Sequence, residues 1–397
     1  MLTFHIVSSI DISSGGPSKS VCDLALEQAK KDVSVQIISL KTEKPYFAQN
    51  PHPNLNLVFT EKNNFKASFK HVIKNQKPDI LHGHGLWLME GHYMASIARN
   101  MNIPYIISPR GMLEPWALNY KRWKKQIALW LYQNKDVANA ACIHTTAKME
   151  AEQIRKLGFK NPIAVIPNPI EVKDKIAKVR TEKKRLAFIG RLHKIKNIES
   201  LIKSWEKVTS KNDWELVIVG DGEPNYVNKL KKLVIELEIS SSVIFTGFLT
   251  GIEKENLWKT LDIIVLPSFS ENFGMVVGEA LQYEIPVIAS TGTPWEDLNT
   301  YQCGWWVNNN TDSLAETIQQ AISLSDEERQ KMGKRGRQLI IEKYSVEIVA
   351  TQMLRLYEWI LKGGEKPEFV YEQGTSPCPL QRGIKRRVHH HLKKIPL

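Results

Sequence analysis

Residues 261–281, LDIIVLPSFSENFGMVVGEAL, decide how the chain is put together. The apolar run IIVL ends in a Pro-Ser loop that carries Glu271, and a helical pattern begins near Gly274. Runs of this kind recur almost from end to end. In the first half FHIVSS (4–9), SVQIISL (34–40), DILHGHG (79–85) and IPYIISPRG (103–111) alternate with helical patterns such as KSVCDLALEQAKK (19–31). Strands buried on both faces read as continuous apolar runs, and intervening helices imply right-handed crossovers between parallel strands. After residues 164–184, where Pro and then Lys displace the apolar periodicity, the pattern starts afresh. RLAFIG (185–190), WELVIVGDG (214–222), SVIFTGF (242–248) and PVIAS (286–290) follow, with helices between them. The expected fold class is α/β, with two Rossmann-like domains over 1–170 and 171–345 and a linker near 168–184. A helix over 346–362 ends on a Gly-Gly pair, and the basic remainder, 363–397, loses all periodicity and is expected to be mostly disordered.

With 397 residues, 42% hydrophobic and 24% charged, the chain has the composition of a soluble two-domain protein and not of a fibrous or disordered one. A net charge of +12 favours an anionic partner: a phosphorylated metabolite, an acidic membrane surface or nucleic acid. The basic residues cluster in NYKRWKKQ (119–126) and QRGIKRRVHHHLKK (381–394). No zinc-finger spacing, RNA-recognition signature or basic helix-turn-helix accompanies them, so nucleic acid is set aside. Cys22, Cys142, Cys303 and Cys378 lie far apart without a CxxC pair, which argues against a zinc knuckle or disulfide framework and fits a reducing compartment. No cleavable leader is legible, and no apolar run approaches the ~20 residues of a membrane span. A cytoplasmic chain is expected, peripheral to the inner face of a membrane at most.

In open parallel sheets, ligands sit beyond the carboxyl ends of the strands, so the loops that follow strands carry the chemistry. Amides of Gly274, Met275 and Val276 at a helix start point, with the positive end of its dipole, toward an anion such as a pyrophosphate. Glu271 and Glu279 flank that bend. Carboxylates accept hydrogen bonds from hydroxyls, and sugars supply hydroxyls on either side of a phosphate. A capping Glu and a solvated helix Glu are the plainer reading of such a pair. Arg191 and Lys196, in GRLHKIKN (190–197), follow another strand end and suit a diphosphate, the arginine as a fork of donors and the lysine as a point charge. Gly15 and Gly16 follow the first strand, where a missing side chain lets the backbone approach a phosphate. His82 and His84, in LHGHGLWLMEGH (81–92), share one face of their strand, but no third metal ligand is evident. His84 and Trp87 read as cleft residues on the acceptor side; for His82 a satisfied buried histidine is the alternative.

ENFGMVVGEAL (271–281), GRLHKIKN, VIPNPI (165–170) and GGPSKSV (15–21) together resemble the retaining glycosyltransferases of family 4, also called group 1, over roughly residues 1–362. The resemblance implies the GT-B arrangement: two Rossmann-like domains facing across a cleft, with a C-terminal helix packed back toward the first. It also implies a UDP- or GDP-sugar donor on the second domain and a glycan or lipid-linked oligosaccharide acceptor on the first. Donor contacts are then expected from Gly16, Arg191, Lys196, Asn272, Phe273, Gly274, Met275, Val276 and Glu279, with Glu271 at the transferred hexose or N-acetylhexosamine. The chain has no D-x-D triplet, in keeping with the metal-independent chemistry such enzymes are similar in using, and no cofactor is expected. Arg110 is the departure. Many members place a His there, and arginine cannot be a base at neutral pH; it would stabilise charge or bind an anionic acceptor. Two alternatives share the donor site: a GT-B sugar-nucleotide epimerase, and a non-catalytic nucleotide-sugar-binding subunit.

One further segment stands out. WALNYKRWKKQIALWLYQ (116–133) sets Trp116, Tyr120, Trp123, Ile127 and Leu131 at helical spacing among Lys121, Arg122, Lys124 and Lys125. A basic aromatic face suits an anionic membrane interface, and an amphipathic helix packed on the domain core gives the same stripe.

Overall fold

The structure, a computed structural model, describes residues 1–174, 177–209, 211–372 and 374. Its first sheet takes strands β1 (Leu2–Val7), β2 (Ser34–Leu40), β3 (Leu55–Thr60), β4 (Ile80–His84), β5 (Tyr105–Ser108), β6 (Cys142–Thr145) and β7 (Ile163–Val165). The second takes β8 (Lys184–Ile189), β9 (Trp214–Val219), β10 (Val243–Gly247), β11 (Ile263–Leu266), β12 (Val287–Ser290) and β13 (Gly304–Val307). A last strand, β14 (Val370–Tyr371), returns to the first sheet, whose order is β14-β7-β6-β5-β4-β1-β2-β3; the second is ordered β10-β9-β8-β11-β12-β13. Every pairing described within the two sheets is parallel except β14 with β7.

The apolar runs become central strands because helices cover both faces: every residue of β4, β11 and β12 is buried. Each sheet reverses its winding once, at β1/β4 in the first and at β8/β11 in the second. Crevices form at such points beyond the strand ends. The loops leaving β1, β4, β8 and β11 are the ones that carry Gly16, Trp87, Arg191 with Lys196, and Glu271.

The helix Val346–Lys362 packs back on the first domain, against the helix Gly16–Lys30 and the sheet. Its Val349, Ala350, Met353, Leu356 and Tyr357 share a buried cluster with Leu24, Ile80, Ile106, Cys142, Ala164 and Ile166. The end of the chain needs a correction. The tail expected to be disordered from 363 instead buries Phe369 and Val370, and β14 pairs antiparallel with β7 through Val370 and Ala164. A two-residue strand is too short to show periodicity, yet it gives the outer edge of β7 its backbone partners. Residues 373 and 375–397, with Cys378 and the histidine run, lie outside the described residues.

Tyr357 is fully buried, and its hydroxyl lies 2.7 Å from His82 Nδ1 on β4. Tyr357→Phe keeps the packing but leaves that ring nitrogen without a partner. A loss of about 1–3 kcal/mol is expected, read as a lowered thermal midpoint; an unchanged midpoint would show that the contact is idle.

Candidate functional site

The second domain contributes the turn between β11 and the helix Met275–Gln282. Gly274 caps this helix in a left-handed conformation (φ 79°), and a Cβ there would lie 3.0 Å from Leu266 Cδ2, so glycine fits where larger residues strain. No side chain caps the helix start. The helix Gly16–Lys30 of the first domain, likewise uncapped by a side chain, begins directly opposite: a Cβ on Gly16 would stand 3.0 Å from Met275 Cγ. Two helix N-termini, one from each domain, thus converge at the cleft with the positive ends of their dipoles. Thr146 Oγ1 donates to the Asn272 carbonyl at 3.2 Å, joining the domains beside them.

Both glutamates of the flanking pair are engaged by lysines. Glu271 Oε1 accepts from Lys196 Nζ and, at 2.8 Å, from Ser268 Oγ. Glu279 Oε2 accepts from Lys254 Nζ at 2.9 Å. Glu279 and Lys254 line an interdomain cavity of about 300 Å³ together with Lys19, Glu171, Met275 and Tyr283. Arg191 is exposed and has no hydrogen bond or ion pair among the described residues. Between the two cations, His193 caps the turn Lys194–Lys196 by accepting from Ile195 N, and its ring meets the edge of Trp116 from the first domain at 5.6 Å. Burial first, and then Arg191 and Lys196, hold this histidine below its ordinary range.

Not every expected residue faces the cleft. Phe273, expected among the donor contacts, packs into the core against Trp295 at 5.1 Å and Tyr344 at 5.9 Å, and its carbonyl accepts from Trp295 Nε1. Its aromatic ring and its carbonyl are both engaged in the core. His84, expected to touch an acceptor, is buried with both ring nitrogens hydrogen-bonded. Trp87 sits in a left-handed turn (φ 72°) beneath Lys125 and packs on the first domain's core; its Nε1 is buried without a partner among the described residues.

The histidines form two directed chains. Arg110 Nη2 can only donate, so His84 Nδ1 accepts at 3.1 Å, His84 Nε2 donates to His5 Nδ1 at 2.9 Å, and His5 Nε2 donates to Gln28 Oε1 at 2.8 Å. In the other chain, His144 Nε2 donates to the Ile166 carbonyl at 2.8 Å, so its Nδ1 accepts from Ser108 Oγ at 2.6 Å. Ser108 then accepts from His82 Nε2 at 2.6 Å, and His82 Nδ1 accepts from the Tyr357 hydroxyl. Every ring has one proton and no nitrogen to spare. His5, His82 and His84 lie close enough to hold a metal, but their nitrogens are committed to hydrogen bonds: His5 and His84 to each other, to Gln28 and to Arg110, and His82 to Tyr357 and Ser108. The alternative of a satisfied buried His82 is the one observed.

Arg110, held in the left-handed region (φ 57°), donates to Asn168 Oδ1 in the linker and to Ser20 Oγ at 3.3 Å. Among the described residues all its hydrogen-bond partners are neutral and its Nε is buried without one, and burial lowers its pKa to about 10. Sequence reasoning missed Lys254, His193, Trp116 and Asn168 at this site. Asn168, His193 and Trp116 lay in stretches already singled out, whereas Lys254 did not.

Comparison with known proteins follows the same geometry. The family Glycosyl transferases group 1 matches residues 169–339, and Glycosyltransferase Family 4 matches residues 14–174. An uncharacterized glycosyltransferase of Methanocaldococcus jannaschii is 31% identical over 182 residues, 45% of this chain and 46% of that protein. One of Haemophilus influenzae is 27% identical over 292 residues, 71% of this chain and 78% of that one. The chain thus spans about half the length of the archaeal relative. Among solved structures, sucrose-phosphate synthase from Thermosynechococcus elongatus superposes with a TM-score of 0.74 at 18% identity, covering 92% of this chain and all of that one. Anabaena HepE, solved with UDP and glucose, gives 0.71 at 15% identity over 90% and 99%. At such identities the likeness establishes the fold, two Rossmann-like domains of the GT-B kind.

The neutral histidines fix a pH dependence. Burial is the main cause in each: His5 is lowered from 6.5 to about 4, His144 to about 3, and His82 and His84 well below 6.5. Below pH 6.5 the unfolded chain takes up protons that the folded chain refuses, so stability falls as pH drops toward about 4, and above 6.5 these groups cost nothing. A thermal midpoint that stays level across that window would contradict the neutral cluster.

Proposed function

We propose that this chain, which belongs to the group 1 (family 4) glycosyltransferases, transfers a hexose or N-acetylhexosamine from a nucleotide-diphosphate sugar to a hydroxyl of a cell-surface glycan acceptor. The observation that carries this reading is the convergence of two uncapped helix starts, at Gly16 and Met275, with a lysine-paired carboxylate on each flank, Glu271 with Lys196 and Glu279 with Lys254. A diphosphate matches the amides and cations, and sugars on either side of it match the carboxylates.

In this assignment Lys196 and Arg191 hold the diphosphate, and the amides of Gly274, Met275 and Val276 face it. Glu279 takes the ribose diol, and Glu271 orients the transferred sugar from a position fixed by Ser268 and Lys196. Lys196 touches Glu271 directly, so one ammonium would bridge the sugar-binding carboxylate and the leaving phosphate. As the bond from the anomeric carbon to the phosphate oxygen breaks, negative charge grows on that oxygen, and fixed cations and amides stabilise it without reorganising. Family membership implies retention: the acceptor hydroxyl attacks from the face the diphosphate leaves and passes its proton to a phosphate oxygen. Arg110, a half-buried cation with only neutral hydrogen-bond partners, would add to the positive field on the acceptor side. Closure of the domains on the donor would exclude water that otherwise hydrolyses it.

A thermal-shift panel of UDP- and GDP-sugars tests the donor site and chooses the base. At a hundredfold excess over Kd, a bound donor adds about 2.7 kcal/mol to apparent stability. Glu279→Ala and Lys196→Ala are each expected to abolish the shift while leaving the ligand-free midpoint near that of the parent; a full shift in both would remove the donor site from this cleft.

A further inference from the structure

We propose that the helix Arg122–Ala128, with the wider turn Leu129–Gln133 that continues it, is a docking surface for an anionic lipid bilayer. The helix is turned the wrong way for a soluble surface. The side that faces the protein carries Lys125, whose ammonium donates to the Ala117 carbonyl, Tyr132, whose hydroxyl donates to the Trp87 carbonyl at 3.2 Å, and Gln133, which accepts from Trp87 N at 2.9 Å. The side that faces solvent carries Trp123, Ile127, Trp130 and Leu131, exposed by 63%, 48%, 83% and 61%. These positions are i, i+4, i+7 and i+8, one stripe of a helix, and neither this helix nor the preceding Pro115–Asn119 buries a residue. Packing on the domain core is therefore not what the stripe is for.

Charge selects the occupant. Lys121, Arg122 and Lys124 border the stripe, are exposed and form no ion pair among the described residues, and no Asp or Glu occurs from 115 to 135. Lys124 lies 5.2 Å from the Trp123 ring centre and Lys121 5.2 Å from that of Tyr120, the mixture of cation and indole or phenol that suits a headgroup layer. A second copy meeting the same patch across a twofold axis would set these cations against their equivalents. Anionic phospholipid instead pairs with them while the indoles enter the interface. The surface ends at the cleft, because Trp116 reaches His193 beside Arg191 and Lys196. Docking would thus present the acceptor side to molecules held in the bilayer; that consequence rests on the proposed function, and docking itself does not.

The test uses the full chain with vesicles of phosphatidylcholine alone and vesicles in which about a third of the lipid is phosphatidylglycerol. Co-sedimentation with the anionic vesicles only, blue-shifted tryptophan emission, and weakening as salt shortens the screening length are expected. The pair Trp123→Ser and Trp130→Ser, and separately Lys121→Glu with Arg122→Glu, should each lower binding by about tenfold or more and leave any nucleotide-sugar thermal shift unchanged, which shows that the variants fold. Binding equal to the parent's in both pairs, equal binding to neutral vesicles, or no binding at low ionic strength overturns the proposal. So does concentration-dependent dimerisation, by light scattering, that Trp123→Ser with Trp130→Ser abolishes. Vesicle binding by a parent chain that shows no thermal shift with any nucleotide sugar would sink the donor site and leave the docking surface standing.

Discussion

Parallel pairing is the constraint on which the rest of the molecule depends. Within the described sheets all strands but β14 run the same way, so every loop that follows a strand opens on the same edge of its sheet. Each sheet also reverses its winding once, and a reversal parts two neighbouring loops into a crevice. Two such crevices meet where Gly16 touches Met275. Nothing about the individual residues Gly16, Lys196, Glu271 and Glu279 brings them together. The direction of the strands does, because it sends them to facing edges.

Charge is distributed in that contact unevenly. On the second domain each carboxylate of the pair is met by a lysine, Glu271 by Lys196 and Glu279 by Lys254, so cation and anion arrive together and neither is left alone in a partly buried place. On the first domain Arg110 has no carboxylate within ion-pair distance among the described residues, and its neighbours are imidazoles, an amide and a hydroxyl. An arginine that can only donate sets the proton positions of His84 and then His5, while a backbone carbonyl sets those of His144, Ser108 and His82. Neutral rings are the cheapest way to fill that space, since a protonated histidine beside the guanidinium would add like charge to desolvation. The same chain reaches Tyr357, so the C-terminal helix is tied by hydrogen bonding as well as by packing to the strand that bears His82.

The helix after residue 120 shows the limit of hydrophobic pattern as a guide. Its stripe of Trp123, Ile127 and Leu131 has the period of a core-facing helix, and a periodic stripe says which residues share a face without saying what the face meets. Here the inward side is anchored by Lys125, Tyr132 and Gln133 through their polar atoms, and the apolar side is exposed. The lysines around the stripe were visible from the start; that Lys121 and Lys124 meet no acidic partner among the described residues was not.

By itself the sequence determined the class of fold, the two-part organisation and the loops that matter, because buried parallel strands must be runs of apolar residues and those runs are local. It also set Glu271, Glu279, Lys196 and Arg191 around strand ends, since that spacing is carried within single short segments. Contacts between segments far apart in the chain were decided by tertiary structure alone: Lys254 on Glu279, Trp116 on His193, Asn168 and Ser20 on Arg110, and the return of β14 to β7. The same holds for the inward turn of Phe273 and His84, whose composition fits a cleft as well as a core. Periodicity records the preference of each residue for water or interior along one element, whereas these pairings depend on how elements are placed against one another, and no short stretch of the chain contains that.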